Sequence, residues 1–348
     1  MMARLVLDKE IGNKMKIKTG LLSALIAQAL LVSAPAAALN IVLTNDDSWN
    51  THNIKAMKEA LVAKGHDVIM AAPCTGQSGK GGSFGFFKSV KVDETKAEQY
   101  EYCVGDEDTS QAFEDYVEGT PVMSVLYGID VAAQNKWGKA PDLVVSGPNE
   151  GNNLGYMNNN SGTLGATMIA LSRGIPAIAV SGNENSLSDP TQGPKIANVV
   201  VNVIDKLEAS RTDNQPLLPA YMGLNINTPE DIDASLGYRF TDVGWNGGGI
   251  ALKFVEDFSE NEMIVGYFAQ ILLAQGAAET MEQALIMAKG MLRGKQGIGF
   301  NPSDVNDSNE NSEGVAVKNG YITISTIDAS VQATRAKVAL TQQRLSGL

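Results

Sequence analysis

Histidine is almost missing from this 348-residue chain, which has only His52 and His66. His52 falls at an expected helix start and His66 just before an expected strand, so both read as structural, and histidine-based catalysis has little to work with. No G-x-S-x-G elbow occurs, which removes the main support for a serine hydrolase. "GQSGKGGSFG" imitates a phosphate loop, but its spacing is not that of G-x-x-x-x-G-K-[ST], and Lys80 within it reads as a solvated lysine. There is no sequence repeat and no low-complexity tract. Net positive charge is also lacking: the formal charge is −12, which argues against duplex nucleic acid or anionic lipid as the main partner. Small phosphorylated ligands stay open where a metal supplies local positive charge. Cysteine is limited to Cys74 and Cys103. They could form a disulfide worth about 3–4 kcal/mol on a chain-entropy model, or stand as two free thiols.

No apolar run is long enough for an ordinary membrane span. The basic segment Met15-Lys16-Ile17-Lys18 leads into the apolar run Gly20 to Val32, then into Ser33-Ala34-Pro35-Ala36-Ala37-Ala38. That order reads as a secretory signal over residues 1–38, with Met15 as an alternative start. Cleavage would remove five basic and two acidic residues, leaving 22 Lys/Arg against 37 Asp/Glu and a net charge of −15. The expected location is periplasmic or secreted, with no membrane span after signal removal.

From residue 39 the pattern alternates strand and helix. Ile41 to Leu43 suits a strand buried on both faces. "NTHNIKAMKEALVAKG" then places Ile54, Met57, Leu61 and Val62 at helical spacing, with Asn50 or Thr51 as N-cap and Gly65 as stop. "HDVIMAAP" completes a βαβ unit. The unit recurs through "PDLVVSGPN", a strand ending near Ser146, and a helix starting near Ser161. "IPAIAVSG", "KIANVVVNVIDKLEAS" and "YMGLNINTP" follow as strand, helix and strand. These elements predict an α/β fold, Rossmann-like and doubly wound around a mostly parallel sheet, over residues 39–245. Residues 246–348 read as a smaller C-terminal subdomain: a helical block at 254–293, a polar loop, the strand "YITIST" and a helical tail. "YEYCVGDEDTSQAFEDY" reads as an acidic, loop-like insertion. In the tail, Val331, Val338 and Leu345 stand at heptad spacing, as core packing or as a subunit seam.

Ligands of such sheets bind beyond the carboxyl ends of the strands, and the first strand ends in Asn45, Asp46 and Asp47. Adjacent carboxylates repel, but a divalent cation can neutralise them, and hard oxygen ligands point to Mg²⁺ or Mn²⁺, with Ca²⁺ as a crystallisation substitute. Taken alone, "NDD" reads as a solvated acidic turn capping the next helix. The other strand ends shift that balance. "APCTGQSG" supplies Ser78, and "VVSGPNEGNNLG" supplies Ser146, Gly147 and Asn149 among glycines that allow close backbone approach. Ser161, Gly162 and Thr163 open a helix whose free N–H groups favour an anion. A metal site beside an anion cradle suggests phosphate-ester chemistry.

"NIVLTNDDSW", "APCTGQSG", "GTPVMSVLYGI", "APDLVVSGPNEGNNLG", "SGTLGATMIALSRGIPAIAVSG", "LNINTP" and "EGVAVKNGYITIST" stand in an order that resembles the SurE-type phosphatases, the survival-protein or 5′/3′-nucleotidase family. "WGKAPDLVVSGPN" is most similar to the exported acid-phosphatase branch. The resemblance covers residues 39 to 245 well and 312 to 327 loosely. It implies metal ligands at Asp46, Asp47, Ser78 and Asn149; the strand ends and helix start add expected phosphate contacts at Asn45, Ser146, Gly147, Ser161, Gly162 and Thr163, with Asp46 and Asp47 as the expected catalytic pair. It also implies nucleoside monophosphates or other small phosphate esters as substrates, and homodimers or homotetramers built through the C-terminal segment. Ser48 replaces the glycine of the family's usual "NDDG", a change expected to relax the turn, and Ser312-Glu313 replaces "TD". In the expected reaction the cation activates a water, which Asp46 orients or deprotonates. An aspartyl-phosphate route and a non-catalytic metal- or phosphate-binding protein on the same fold are the alternatives.

Overall fold

A computed structural model describes residues 38–108, 117–212, 215–303 and 307–347. The leader assigned to residues 1–38 lies, apart from Ala38, outside them, as do residues 109–116 of the acidic stretch. Strand β1 (Asn40–Thr44) is central. Its alternating side chains enter two cores: Ile41 and Leu43 on one face, Val42 on the other.

Helix α1 (His52–Ala63) follows β1 and buries Ile54, Met57 and Leu61 against the first face. Val62, expected on that stripe, is half exposed, because one step of 100° past Leu61 carries it off the buried side. Gly65, at φ +88°, ends the turn. Strand β2 (Asp67–Pro73) pairs parallel with β1. Strands β3 (Val92–Lys96) and β4 (Glu101–Val104) extend that side of the sheet. The acidic stretch therefore begins as a strand, and Cys103 within it is joined to Cys74, which follows β2. The two cysteines form a disulfide.

Helix α2 (Pro121–Tyr127) is capped by Thr120, whose Oγ1 accepts from the Met123 amide at 3.3 Å, and a π-turn links it to α3 (Ala133–Trp137). Strand β5 (Leu143–Glu150) pairs with β1 on the side opposite β2. It runs four residues beyond its expected end, with a register slip between Ser146 and Asn149 where it meets β6 (Ala177–Gly182). Between β5 and β6 lies α4 (Gly162–Ser172), which contributes Ala166, Ala170 and Leu171 to the second core. Helix α5 (Gln192–Ser210) covers the first face, and β7 (Met222–Asn227) pairs parallel with β6.

The chain turns back on itself at the far edge. Strand β8 (Tyr238–Thr241) is followed by a hairpin of β9 (Ile250–Val255) and β10 (Gly297–Pro302). Between its arms, α6 (Glu262–Ala274) and α7 (Met281–Leu292) share an apolar cluster that includes Ile264, Ala269, Leu272, Ala284 and Leu292. Both helices were legible in the sequence, but the hairpin that carries them was not. After α8 (Glu313–Lys318), β11 (Ile322–Asp328) slots between β7 and β8, antiparallel to the first and parallel to the second. Helix α9 (Arg335–Arg344) has no buried residue. Val331 and Leu345 are exposed, so the tail's heptad positions do not pack into this chain's own core. The main sheet reads β3-β4-β2-β1-β5-β6-β7-β11-β8. β1 has β2 on one side and β5 on the other, both parallel to it, so the order in which strands are added reverses there, which is where α/β sheets of this kind open a ligand crevice. Among the described residues no helix is long and apolar enough to cross a membrane.

Candidate active site

The crevice at the ends of β1 and β5 gathers most of the expected residues. Asp46 is buried, at 3% exposure. The Thr163 hydroxyl donates to its Oδ1 at 2.6 Å, and the Gln77 amide donates to its backbone oxygen at 2.7 Å. The first bond brings the start of α4 to β1; the second brings up the loop that carries Ser78, which lies exposed in the turn after β2. Asp47 accepts from the Glu150 amide through Oδ2 at 2.7 Å, which fastens it to the end of β5. Asn149 donates from Nδ2 to Gly151 O at 2.6 Å, so Oδ1 is the atom it has for a cation.

Two glycines are required by contact. A side chain on Gly162 would begin 2.7 Å from Asp46 Cβ and 2.9 Å from Asp46 Oδ2. Gly147 sits at φ +117°, with Val180 O 2.1 Å from the place of a Cβ. Ser48 occupies a glycine-like conformation at φ +114°. The turn is therefore not relaxed by the serine; Oγ holds it by donating to Cys74 O at 3.0 Å.

The other expected phosphate contacts divide. Asn45 spends its side chain locally, accepting from the Asp46 amide through Oδ1 at 2.8 Å and donating to Thr51. Ser161 caps α4 by accepting from the Leu164 amide at 3.2 Å, and its carbonyl accepts from Gly165. The first-turn amides of Gly162 and Thr163 are then the ones left for an anion. Ser146 is fully buried, and its Oγ has no hydrogen-bond partner among the described residues. Thr163 supports Asp46 through its hydroxyl. Lys80 pairs with Glu118. His52 Nε2 meets Ser186 O at 2.8 Å, and His66 Nδ1 accepts from the Leu39 amide at 3.2 Å, so both are structural.

Electrostatics set the site apart. Burial raises the Asp46 pKa, with the Thr163 bond opposing. Asp47 is raised well above the carboxylate range by burial, then by the charges of Asp46 and Glu150. Glu150 is pushed up to about 7, again by burial and then by Asp46. The buried Asp46 and the partly buried Asp47 and Glu150 repel one another, which a cation relieves and which protons otherwise must. The donor set is all oxygen, which suits Mg²⁺ or Mn²⁺. Sequence reasoning missed Glu150, although "SGPNEG" places it beside Asn149. It also missed Tyr267, a half-exposed residue of α6 whose pKa is raised by burial and then by Asp47 and Glu150.

The family described as survival protein SurE matches residues 41–248. The acid phosphatase of Yarrowia lipolytica is 38% identical over 208 residues, covering 56% of this chain and 58% of its own. The 5′-nucleotidase SurE of Paramagnetospirillum magneticum is 32% identical over 212 residues, covering 61% and 72%. That of Lawsonia intracellularis is 34% identical over 211 residues, covering 60% and 74%. Among solved structures, the SurE protein from Aquifex aeolicus superposes with a TM-score of 0.61 at 25% identity, across 88% of this chain and 99% of that one.

Proposed function

The chain belongs to the SurE family, a family of phosphoric monoester hydrolases among the relatives above, and we propose that it hydrolyses nucleoside monophosphates with the help of one divalent cation. The observation that carries this reading is the buried Asp46 carboxylate. One of its oxygens is fixed by Thr163 and the other lies against Gly162 at the start of α4. A carboxylate and an anion-seeking helix start are then neighbours, and a cation with a phosphate group satisfies both. Asp46, Asp47, Ser78 and Asn149 would hold the cation. It supplies polarisation of a phosphoryl oxygen and a lowered pKa for a water beside it. The remaining work falls to the chain. The Gly162 and Thr163 amides receive the non-bridging oxygens, and charge building on them is met by the helix dipole. Asp46 orients the attacking water. Gly147 lets β5 lie against the Val180 carbonyl, 2.1 Å from where a Cβ would stand, and so fixes the strand end that carries Asn149.

The relatives' names run against a non-catalytic binding protein. The Cys74–Cys103 disulfide supports an exported protein, since such bonds persist in oxidising compartments. The exposed tail, with Val331 and Leu345, supports assembly through a second copy.

The test is phosphate release from AMP and p-nitrophenyl phosphate with Mn²⁺ or Mg²⁺, then with EDTA. Release that EDTA abolishes and the metal restores is expected, and Asp46→Asn should abolish turnover with the fold intact. Silence with both substrates under every metal would contradict the reading, as would near wild-type turnover in Asp46→Asn.

A further inference from the structure

Glu313 opens α8 in the C-terminal segment and is fully buried. No cation pairs with it among the described residues. Instead, four donors surround it. Oε1 accepts from the Gly155 amide and from Asn158 Nδ2, each at 2.9 Å. Oε2 accepts from Asn225 Nδ2 at 3.0 Å and from Ser325 Oγ at 2.7 Å. A buried carboxylate is costly unless each lone pair is used, and here both oxygens are used twice.

The bonds continue toward the crevice. Asn225 Nδ2 also donates to Asn153 O at 3.1 Å, and Asn227 Nδ2 donates to the same oxygen at 3.0 Å. Asn227 Oδ1 accepts from the Asn153 amide at 2.9 Å. Asn153 Nδ2 donates to Ser181 Oγ at 2.9 Å and to Thr163 Oγ1 at 3.3 Å. Thr163 Oγ1 donates to Asp46 Oδ1 at 2.6 Å. Because Asn153 supplies Thr163 with a donor, the threonine's own proton is directed at Asp46. Asn225 and Asn227 hold the backbone of Asn153, whose side chain holds Thr163, so a change at Glu313 is felt at the carboxylate that meets the cation.

We propose that Glu313 is a positioning residue for the hydrolytic site, setting the place of Asp46 through Asn225, Asn153 and Thr163. The inference rests on the function proposed above. It gives the C-terminal segment a role in cation affinity without contact with the cation. Glu313→Gln is the informative change, since it keeps the volume and turns one acceptor into a donor. The Gln amide would face Asn225 Nδ2 or Asn158 Nδ2. Each of those asparagines has an Oδ1 without a partner among the described residues, so it can flip to accept, and flipping Asn225 removes its bond to Asn153 O.

Mn²⁺ binding to the full chain by calorimetry tests this, alongside AMP turnover and far-UV circular dichroism. Glu313→Gln should fold and bind Mn²⁺ about 10–100-fold more weakly, the usual effect of altering partners behind a metal ligand. Its kcat should recover when Mn²⁺ is raised to saturation. Should Glu313→Gln fail to fold, Ser325→Ala, which removes one bond of the four, should weaken Mn²⁺ several-fold. Thr163→Val should weaken Mn²⁺ as well, and adding Glu313→Gln to it should cost little more. Wild-type Mn²⁺ affinity in a folded Glu313→Gln or Ser325→Ala, or full additivity with Thr163→Val, overturns the inference alone. A wild-type chain that neither binds Mn²⁺ nor releases phosphate overturns the proposed function and the inference together.

Discussion

Replacing Gly162 by alanine should damage the site more than the fold. Alanine is the better helix former by about 0.8–1.0 kcal/mol in a helix interior, so propensity alone predicts a gain. Contact predicts the reverse. The new methyl would lie 2.7 Å from Asp46 Cβ, 2.9 Å from Asp46 Oδ2 and 2.9 Å from Pro121 Cγ. Ordinary carbon contacts are near 3.5–4.0 Å, so something must yield by roughly 0.8 Å. Asp46 has no open direction: it is 3% exposed and pinned by Thr163 at 2.6 Å. Overpacking of this kind costs about 1–3 kcal/mol, which leaves a net loss of about 0–2 kcal/mol. A reacting group misplaced by an ångström loses about 10²-fold in rate. Gly162→Ala should therefore lose about two orders of magnitude in kcat/KM for AMP, with weakened Mn²⁺ binding and a modest fall in denaturation midpoint. Full turnover at unchanged Mn²⁺ affinity would refute the packing of α4 on Asp46.

Ser48→Gly releases a strained φ worth about 1–3 kcal/mol and loses the bond from Oγ to Cys74 O. Stability should change by about 1 kcal/mol or less with turnover kept; lost turnover would give Ser48 a direct part in the site. Replacing Cys74 and Cys103 together by alanine opens a closure of 29 residues' separation. It should cost about 3–4 kcal/mol in urea unfolding, and an unchanged midpoint would show the bridge to be dispensable. Glu313, pushed up to about 7 by burial, is raised above its unfolded value. Its stabilising contribution is therefore full below about pH 4.5 and lost as pH rises through 7, about 3 kcal/mol in all. Urea unfolding of wild type and Glu313→Gln from pH 4 to 8 should diverge across that window, and parallel profiles would contradict it.

The parallel core was legible because its signals are local. Ile54, Met57 and Leu61 repeat at helical spacing, and Ile41 to Leu43 needs no partner to read as a buried strand. The placing of Asp46, Asp47, Ser78 and Asn149 at strand ends was legible in the same way, since each ends or follows a strand. What stayed hidden depends on chain segments distant in sequence. Thr163 reads as part of a helix cap, yet it bonds to Asp46 across 117 positions. Glu313 stands in the sequence only as part of Ser312-Glu313 in place of "TD", but the structure buries it against Asn225 of β7 and Ser325 of β11. The pairing of β9 with β10 spans the two helices α6 and α7, and no turn signal joins those strands. Glu150 carries no signal of its own in "SGPNEG", and its tie to the site is the bond from its amide to Asp47 across 103 positions.

Anomalous diffraction from crystals of this chain grown with Mn²⁺ tests the central claim most directly. The account predicts one peak about 2.0–2.6 Å from oxygens of Asp46, Asp47, Ser78 and Asn149. An Mn²⁺ peak elsewhere, or none with Asp46 and Asp47 turned apart, would contradict it.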